Sequence, residues 1–168
     1  PHQARLMAAA PFDAPPPLRD LTQRYALAVD SRDAAMLAGL FVVDGTMRGH
    51  GQAAPRYAGA EGFARMIAEV EASFGATMHN VFNQTYDQAE DGAVTGLVTG
   101  VASHVLPGGG EEGQGLTLLD FAMRYHDSYA REGGAWKFAD RQLEVVWVER
   151  RKASAFSAAM MGRELKGF

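Results

Sequence analysis

The chain contains no cysteine among its 168 residues. Without thiols it can form no disulfide, zinc–thiolate site, iron–sulfur cluster or cysteine nucleophile. It also lacks an excess of positive charge, since 16 Lys and Arg stand against 20 Asp and Glu. A nucleic-acid-binding protein needs a basic face to displace counterions, so the charge balance argues against a nucleic-acid partner.

Long apolar runs are absent as well. The longest uncharged apolar stretches fall far short of the ~20 residues that span a bilayer. The first 17 residues lack the charged start and apolar block of a signal peptide. The sequence therefore predicts a cytoplasmic protein with no membrane partner. Its 47% hydrophobic and 21% charged residues are typical of a folded domain.

Prolines are concentrated at one end of the chain, with five of the seven in residues 1–17. Proline lacks a backbone donor and fixes φ, so we expect residues 1–17 to form an extended arm rather than a helix or a central strand. A single ordered domain is predicted over residues 18–149. Residues 150–168 are predicted to form an amphipathic helical tail, because apolar side chains recur along them.

Helical periodicity dominates the first part of this domain. Apolar residues recur at three- and four-residue steps and predict helices over residues 18–31, 34–41 and 61–74. A short strand is predicted over residues 41–48.

The second part changes character after residue 76. Stretches rich in Val, Thr and aromatic residues are separated by glycine-containing turns, which predicts antiparallel strands joined by hairpins. Helices followed by strands indicate an α+β fold, with the helices packed on one face of a strongly curved sheet. The predicted strands cover residues 77–88, 93–106, 116–129 and 136–148.

The strand over residues 77–88 presents different side chains on its two faces, because side chains alternate along a strand. One face is polar and suits a pocket lined by a few convergent polar groups. The other is apolar, which predicts a homodimer or higher homo-oligomer paired through this surface. The two predicted faces consist of His79, Val81, Asn83 and Thr85, and of Met78, Phe82 and Tyr86.

Asp30 stands at the end of the first predicted helix, where a carboxylate opposes the helix dipole by roughly 0.3–1 kcal/mol. It could be a solvated helix end or a cap for the next helix, for which Ser31 and Asp33 compete. It is better explained if a hydrogen-bonding partner such as His79 lies nearby. Histidine titrates near neutrality, which suits a general base.

The remaining histidines differ in their expected surroundings. His104 shares a strand face with the small residues Gly100 and Ala102, which leave room for a ligand or for close helix packing. His104 could equally be a surface residue beside a glycine loop. His50 and His126 are expected at the surface. No histidine pair has metal-ligand spacing and no acidic residues cluster near the histidines, so we expect no metal site.

Three stretches carry a resemblance to a known family. They are residues 25–41, with Tyr25 five positions before Asp30; residues 77–83, with His79 at the start of a strand; and the last hairpin, residues 125–147. Together they resemble the SnoaL-like branch of the nuclear transport factor 2-like superfamily, which includes scytalone dehydratase and bile-acid 7α-dehydratase. The resemblance implies a cystatin-like cone of three N-terminal helices on a strongly curved mixed or antiparallel sheet.

The resemblance also implies an activity and its residues. Asp30 and His79 match the dyad proposed for the dehydratases, and His104 matches a second histidine of scytalone dehydratase. Tyr25 matches a tyrosine of bile-acid 7α-dehydratase. The implied activity is a dehydratase-type lyase acting on a hydrophobic, cyclic β-hydroxy carbonyl compound. We expect no metal or organic cofactor, because the carbonyl group itself acidifies the neighbouring proton.

Roles follow from this chemistry. His79 would remove the proton next to the carbonyl, and Asp30 would orient its imidazole. A hydrogen bond from Tyr25 or Asn83 would stabilise the enolate oxygen, and His104 or Tyr125 would protonate the departing hydroxyl. The aromatic residues are first of all expected in the core, but Phe41 and Trp147 are also predicted to contact the substrate.

Two other functions fit the same sequence. An isomerase or cyclase acting on a polyketide- or steroid-like ring would use the same base and differ only in what leaves. A non-catalytic small-molecule-binding domain or an oxygenase small subunit would need no base.

Overall fold

The computed structural model of the chain describes residues 10–51, 54–107 and 115–153. Three helices precede most of the strands along the chain. They are α1 (Pro16–Asp30), α2 (Ala34–Gly39) and α3 (Gly59–Ser73). The strands are β1 (Ala10–Pro11), β2 (Phe41–Arg48), β3 (Arg56–Ala58), β4 (Thr77–Gln88), β5 (Val94–Val105), β6 (Leu116–Glu132) and β7 (Ala135–Ala153).

All seven strands belong to one sheet, in the order β1-β4-β5-β6-β7-β2-β3. β2 pairs with β7 in parallel, whereas all other neighbours are antiparallel. The predicted α+β class with a mixed sheet is therefore confirmed. Within the described residues, no helix is long and apolar enough to cross a membrane.

One predicted boundary needs correction at the N-terminal end. Helix α1 begins at Pro16, inside the stretch expected to be an extended arm. Proline is tolerated in the first turn of a helix because the backbone N–H that it lacks has no helical partner there. Ala10 and Pro11 also pair with the last two residues of β4, as an edge strand that tolerates proline. Residues 1–9 lie outside the described part of the chain.

The C-terminal boundary also differs from the prediction. Strand β7 continues to Ala153 and pairs with β6 over its last residues, so residues 150–153 are strand and not helix. The rest of the predicted helical tail, residues 154–168, lies outside the described residues. β6 and β7 form a long hairpin whose turn is made by Gly133 and Gly134 with φ of 60° and 81°. Such a turn matches the twist of the two strands and requires positive φ.

The sheet curls around helix α1. This helix packs against both β4 and β7, although β5 and β6 lie between these strands in the sheet. With neighbouring strands about 4.8 Å apart, β4 and β7 would be about 14 Å apart in a flat sheet. A helix with its side chains is only roughly 10–12 Å wide. The sheet must therefore be concave towards α1, and the buried side chains lie inside this curve.

A β-bulge interrupts strand β4. Val81 pairs with Gly100 and Gln84 with Val98, so two residues of β4, Phe82 and Asn83, lie opposite one residue of β5. The extra residue reverses the alternation of side chains beyond it. Gln84 and Tyr86 consequently face inwards, where Gln84 Oε1 accepts hydrogen bonds from the hydroxyls of Thr22 and Tyr86 at 3.1 and 2.7 Å.

The core contains a fully buried ion pair. Nε of Arg141 on β7 lies 3.1 Å from Oδ1 of Asp127 on β6, and the Tyr129 hydroxyl donates to Asp127 at 3.0 Å. The guanidinium carbon lies 4.2 and 4.0 Å from the ring centroids of Tyr25 and Tyr125. Burial alone would lower the pKa of Arg141, but the Asp127 carboxylate and the neighbouring tyrosines together outweigh it, and the pKa is raised. The guanidinium therefore remains charged.

Breaking this ion pair should be costly, because removing one partner leaves a buried charge without compensation. We expect Arg141→Met to lower the free energy of unfolding by about 3–5 kcal/mol, measured by urea denaturation. The exposed pair of Arg124 with Glu144 provides a control, and Arg124→Gln should cost no more than about 1 kcal/mol. Equal losses in the two variants would contradict the expectation.

Candidate active site

The end of helix α1 meets the start of strand β4, and Asp30 and His79 are in contact there. Nδ1 of His79 lies 2.7 Å from Oδ1 of Asp30. The His79 side chain is 9% exposed and that of Asp30 22%, so the pair is largely shielded from solvent but not sealed. The contact expected between these two residues from the sequence is present.

The Asp30 carboxylate accepts three hydrogen bonds. Besides the His79 ring, Oδ2 accepts from the backbone N–H of His79 at 2.8 Å, and Oδ1 accepts from the Thr77 hydroxyl at 2.9 Å. Because β1 pairs only with the far end of β4, this N–H lies on a part of β4 with one neighbouring strand in the described sheet. The three donors compensate Asp30 for its unfavourable place at a helix C-terminus.

These contacts define the protonation of the dyad. Burial tends to raise the pKa of Asp30, but the hydrogen bonds from the His79 side chain and backbone outweigh it, and the pKa is lowered. Asp30 is therefore a carboxylate at neutral pH. A carboxylate only accepts, so Nδ1 of His79 carries the proton and Nε2 carries the lone pair. Within the part of the chain that the structure describes, Nε2 has no hydrogen-bond partner.

His104 lies beside this pair on β5. Its ring centroid is 5.5 Å from that of His79. The ring packs between Phe74 and Phe121, whose ring centroids are 4.5 and 5.0 Å away. Of the two alternatives for His104, the structure supports the inward one. Nδ1 lies 3.2 Å from the carbonyl oxygen of Ala102, which can only accept. Nδ1 therefore holds the proton and Nε2 has a free lone pair.

The two predicted tyrosines are buried beneath the histidines. The Tyr25 ring packs edge-on against His79 and Tyr125, with ring centroids 6.5 and 5.7 Å apart. The Tyr25 hydroxyl donates to Sδ of Met47 at 3.2 Å. Burial, reinforced by the neighbouring Tyr125, raises the pKa of Tyr25 well above its usual value. Burial also raises the pKa of Tyr125 to about 12, so both phenols stay protonated.

Two predicted substrate contacts, Asn83 and Trp147, lie on the outer face of the sheet. Asn83 is exposed on the outer face of the sheet, because the bulge in β4 reverses the alternation just before it. Tyr86 is buried for the same reason, so its predicted place on the outer face was wrong. Trp147 is 62% exposed and pairs with Ala122, on the face opposite to Phe121.

Phe41 is a core residue. It is 2% exposed and packs between Phe63 and Phe138, with ring centroids 4.3 and 5.1 Å away. This burial leaves it no surface for a substrate in the described structure. It matches the expectation that aromatic residues are first of all core.

The outer face of the sheet carries a separate cleft of about 500 Å³. His126 and Arg48 line this cleft. Nε2 of His126 is 2.8 Å from Oε2 of Glu144, and Nη2 of Arg48 is 2.6 Å from Oδ2 of Asp140. These groups are paired with one another, whereas Nε2 of His79 is not. Among the described residues, no group of three His, Asp or Glu side chains could hold a metal ion.

Two residues near the site, Arg141 and Arg32, were not predicted from the sequence. Arg141 lies under the rings of Tyr25 and Tyr125, and no sequence signal marks it, because a strand arginine is usually exposed. Arg32 follows helix α1 with a φ of 59° and contacts Thr77. Arginine is rare in this backbone region, where it costs roughly 1–2 kcal/mol, so the sequence gives no hint of the conformation.

Comparisons with known proteins identify the family and the fold. The protein-family model described as a SnoaL-like domain matches residues 17–142, so the resemblance seen in the sequence is confirmed. A search of curated proteins finds no match.

Solved structures with the same fold include hexachlorocyclohexane dehydrochlorinase LinA-type3 from Novosphingobium barchaimii, at 21% identity and a TM-score of 0.68, with 93% of this chain and 96% of that chain covered. A scytalone dehydratase-like protein from Novosphingobium aromaticivorans has 18% identity and a TM-score of 0.64, with 93% and 95% covered. ActVI-ORFA from Streptomyces coelicolor has 18% identity and a TM-score of 0.62, with 77% and 95% covered. At these identities the likenesses establish the fold alone.

The environment of His104 makes stability depend on pH. Burial, with a further contribution from His79, lowers the pKa of His104 from 6.5 to about 4. Between these two pH values the unfolded chain binds a proton that the folded chain does not, so stability falls as the pH falls from 6.5 towards 4. We expect His104→Gln to flatten this part of the pH dependence, measured by urea unfolding at several pH values.

The exposed His50 provides the matched control. His50→Gln should retain the slope of the wild-type protein over the same pH range. The same slope in His104→Gln as in the wild type would show that His104 titrates normally in the folded chain.

Proposed function

The chain belongs to the SnoaL-like domain family, and we propose that it is a cofactor-independent lyase of the dehydratase type. Its substrate is a hydrophobic, cyclic β-hydroxy carbonyl compound. One observation carries the proposal: the ionised Asp30 holds the His79 imidazole so that the Nε2 lone pair is available. A neutral imidazole oriented in this way is suited to act as a general base.

The aromatic surroundings of the dyad support an apolar ring as substrate. Phe74 and Phe121 flank His104, and Tyr25 lies edge-on to His79. Aromatic side chains favour contact with flat, hydrophobic compounds, while a few polar atoms fix their orientation. The names of two structural relatives, a dehydrochlorinase and a scytalone dehydratase-like protein, denote eliminations.

The first step is removal of the proton next to the carbonyl. The Nε2 lone pair of His79 takes this proton, and the electrons of the broken C–H bond form the C=C bond of an enolate. The negative charge moves to the carbonyl oxygen, and Asp30 stabilises the imidazolium. The Tyr25 hydroxyl is buried and donates to the Met47 sulfur, so it would donate to the enolate oxygen only by leaving that acceptor.

The second step expels the β-hydroxyl group. The enolate electrons return to form the new C=C bond, and the C–O bond breaks. The His79 imidazolium gives its proton to the leaving hydroxyl, so that water departs and the neutral base is restored. His104 is poorly suited to be this acid, because its only N–H donates to Ala102 and its pKa of about 4 keeps it neutral. It instead accepts a hydrogen bond from the substrate.

An isomerase or cyclase would share the first step and differ in the second. Product mass separates these activities, since only a dehydratase releases one water from each substrate. A non-catalytic binding domain would bind the ring without exchanging its α-proton.

Variants of the dyad test the base directly. We expect His79→Gln to slow α-proton exchange with deuterated solvent by roughly 10²–10⁴-fold, because the proton acceptor is lost. Asp30→Asn should cause a comparable loss, because an amide can hold the wrong imidazole tautomer. Exchange is measured by NMR on 3-hydroxycyclohexanone and its fused-ring analogues, and dehydration is followed by product mass.

Two further variants complete this experiment. His126→Gln changes a histidine of the outer cleft and should exchange the proton at the wild-type rate. His104→Gln should retain exchange, because exchange needs only the base. Exchange at the wild-type rate in His79→Gln would remove His79 as the base, whereas binding without exchange in the wild-type protein would leave the binding-domain function.

We also propose that the chain forms a homodimer or higher homo-oligomer. Met78 and Phe82 on β4 and Trp147 on β7 are more than half exposed on the outer face of the sheet. Asn80, Val101, Ala122 and Trp147 form one row across β4 to β7, so the three apolar side chains share one surface. An exposed apolar patch on a polar sheet face is typical of an interface.

The oligomer proposal predicts a mass that is a multiple of 18.1 kDa by light scattering at micromolar concentration. Phe82→Glu should lower this mass, because burying a charge without a partner disfavours association. Val43 on β2 is even more exposed, at 76% against 57% for Phe82, but lies away from this patch, so Val43→Glu should leave the mass unchanged. A wild-type mass of 18.1 kDa would refute the proposal.

A further inference from the structure

Helix α1 ends in a turn that normally needs glycine. The backbone N–H of Arg32 donates to the carbonyl of Val29, and that of Asp33 donates to Ala28. This double hydrogen bond is a Schellman motif, and its left-handed position is usually occupied by glycine. Here Arg32 occupies it, with a φ of 59°. A side chain that persists at such a position points to a function for that side chain.

The Arg32 side chain crosses from the end of α1 to the start of β4. Nη1 donates to the carbonyl of Val29 and to the Thr77 hydroxyl, and Nη2 donates to the carbonyl of Gly75, each at 2.7 Å. The two carbonyl contacts hold the guanidinium between the end of α1 and the residue pair that precedes β4. In this position Nη1 also donates to the Thr77 oxygen.

That contact and the Asp30 carboxylate together fix which way the Thr77 hydroxyl points. A hydroxyl group has one proton and can rotate, so it can either donate or accept towards a neighbour. Arg32 can only donate, so Thr77 must accept from it and use its own proton elsewhere. The Asp30 oxygen at 2.9 Å takes this proton. The same oxygen accepts from Nδ1 of His79.

We propose that Arg32 is a positioning residue, which acts through Thr77 and Asp30 to orient His79. The relay runs from Arg32 to Thr77, from Thr77 to Asp30 and from Asp30 to the imidazole. With the hydroxyl direction fixed, the carboxylate keeps all three donors and cannot turn away from the ring. This inference rests on the proposed role of His79 as the base, but the relay itself is testable without turnover.

Other charged or titratable groups surround His79 and enter the interpretation of any titration. Asp30 and Tyr25 face it from α1, and His104 faces it from β5. Tyr125 of β6 lies behind Tyr25. None of these is altered in the variants below. Arg32→Gly also removes a positive charge, which by itself favours the imidazolium, so Thr77→Val, which changes no charge, is the variant that reports on the relay.

Two single variants and their combination test the relay. Arg32→Gly removes the guanidinium and keeps a residue that favours the left-handed turn, so the backbone is not strained. Thr77→Val removes the hydroxyl at similar volume, and Thr77→Ser restores it. Arg24, which pairs with Asp20 on the exposed side of α1, provides the control variant Arg24→Gln.

The first readout is the NMR titration of the His79 ring, assigned by its loss in His79→Gln. Its midpoint should move to higher pH in Arg32→Gly and in Thr77→Val. The carboxylate then has fewer competing donors and holds the imidazolium more strongly. Thr77→Ser and Arg24→Gln should titrate as the wild type does. An unchanged midpoint in both test variants, or a change in Arg32→Gly alone, overturns the relay.

The second readout is turnover of the cyclic β-hydroxy ketone. We expect kcat to fall by about 10- to 100-fold in each single variant, because a misplaced catalytic group loses its alignment, while KM changes by less than about two-fold. The double variant should be no worse than either single variant, because both break one path. A loss of kcat in the double variant equal to the product of the two single losses, or a rise in KM with unchanged kcat, contradicts a positioning role.

The two readouts separate the two proposals. If no substrate is turned over by the wild-type protein but the midpoints move as expected, the relay stands and the proposed lyase activity fails. If turnover depends on His79 but the midpoints do not move, the activity stands and the relay fails.

Discussion

The Asp30 carboxylate joins helix α1 to strand β4, and the arrangement of the site depends on this contact. A carboxylate at a helix C-terminus is unfavourable unless donors surround it. Here the donors are the Thr77 hydroxyl and both the backbone and the ring of His79. The helix is thereby fixed against the start of the strand, and the imidazole is fixed against the helix. A structural contact and a candidate catalytic contact are thus made by the same atoms.

Much of the fold was predictable because its signals are local. The apolar spacing of α1 and α3 and the glycine turns between strands mark elements without reference to the rest of the chain. Asp30 was found because its place on a helix conflicts with the helix dipole. His79 and His104 were found because a polar face and small neighbours are unusual in a core strand. The family resemblance then joined residues that are far apart in sequence.

The errors came from features that depend on partners across the sheet. The bulge opposite Thr99 turned Asn83 outwards and Tyr86 inwards, and strict alternation could not foresee it. Arg141 is a charged residue in a core, which composition argues against, and only the nearby Asp127 explains it. Arg32 adopts a backbone conformation that its residue type disfavours. In each case the tertiary environment overrides the local preference.

The bulge in β4 also constrains how this strand can change in length. It separates residues 77–81, which contain His79 of the dyad, from residues 84–88, which pack against the core around Gln84. A substitution in either segment alters one of these regions without altering the other. Deleting Phe82 or Asn83 would remove the extra residue and leave both segments facing as they do now, because one outward residue would then separate Val81 from Gln84. Deleting a residue within either segment would instead reverse the faces of the residues beyond it. Homologous chains of different length in β4 should therefore place a one-residue gap at the bulge.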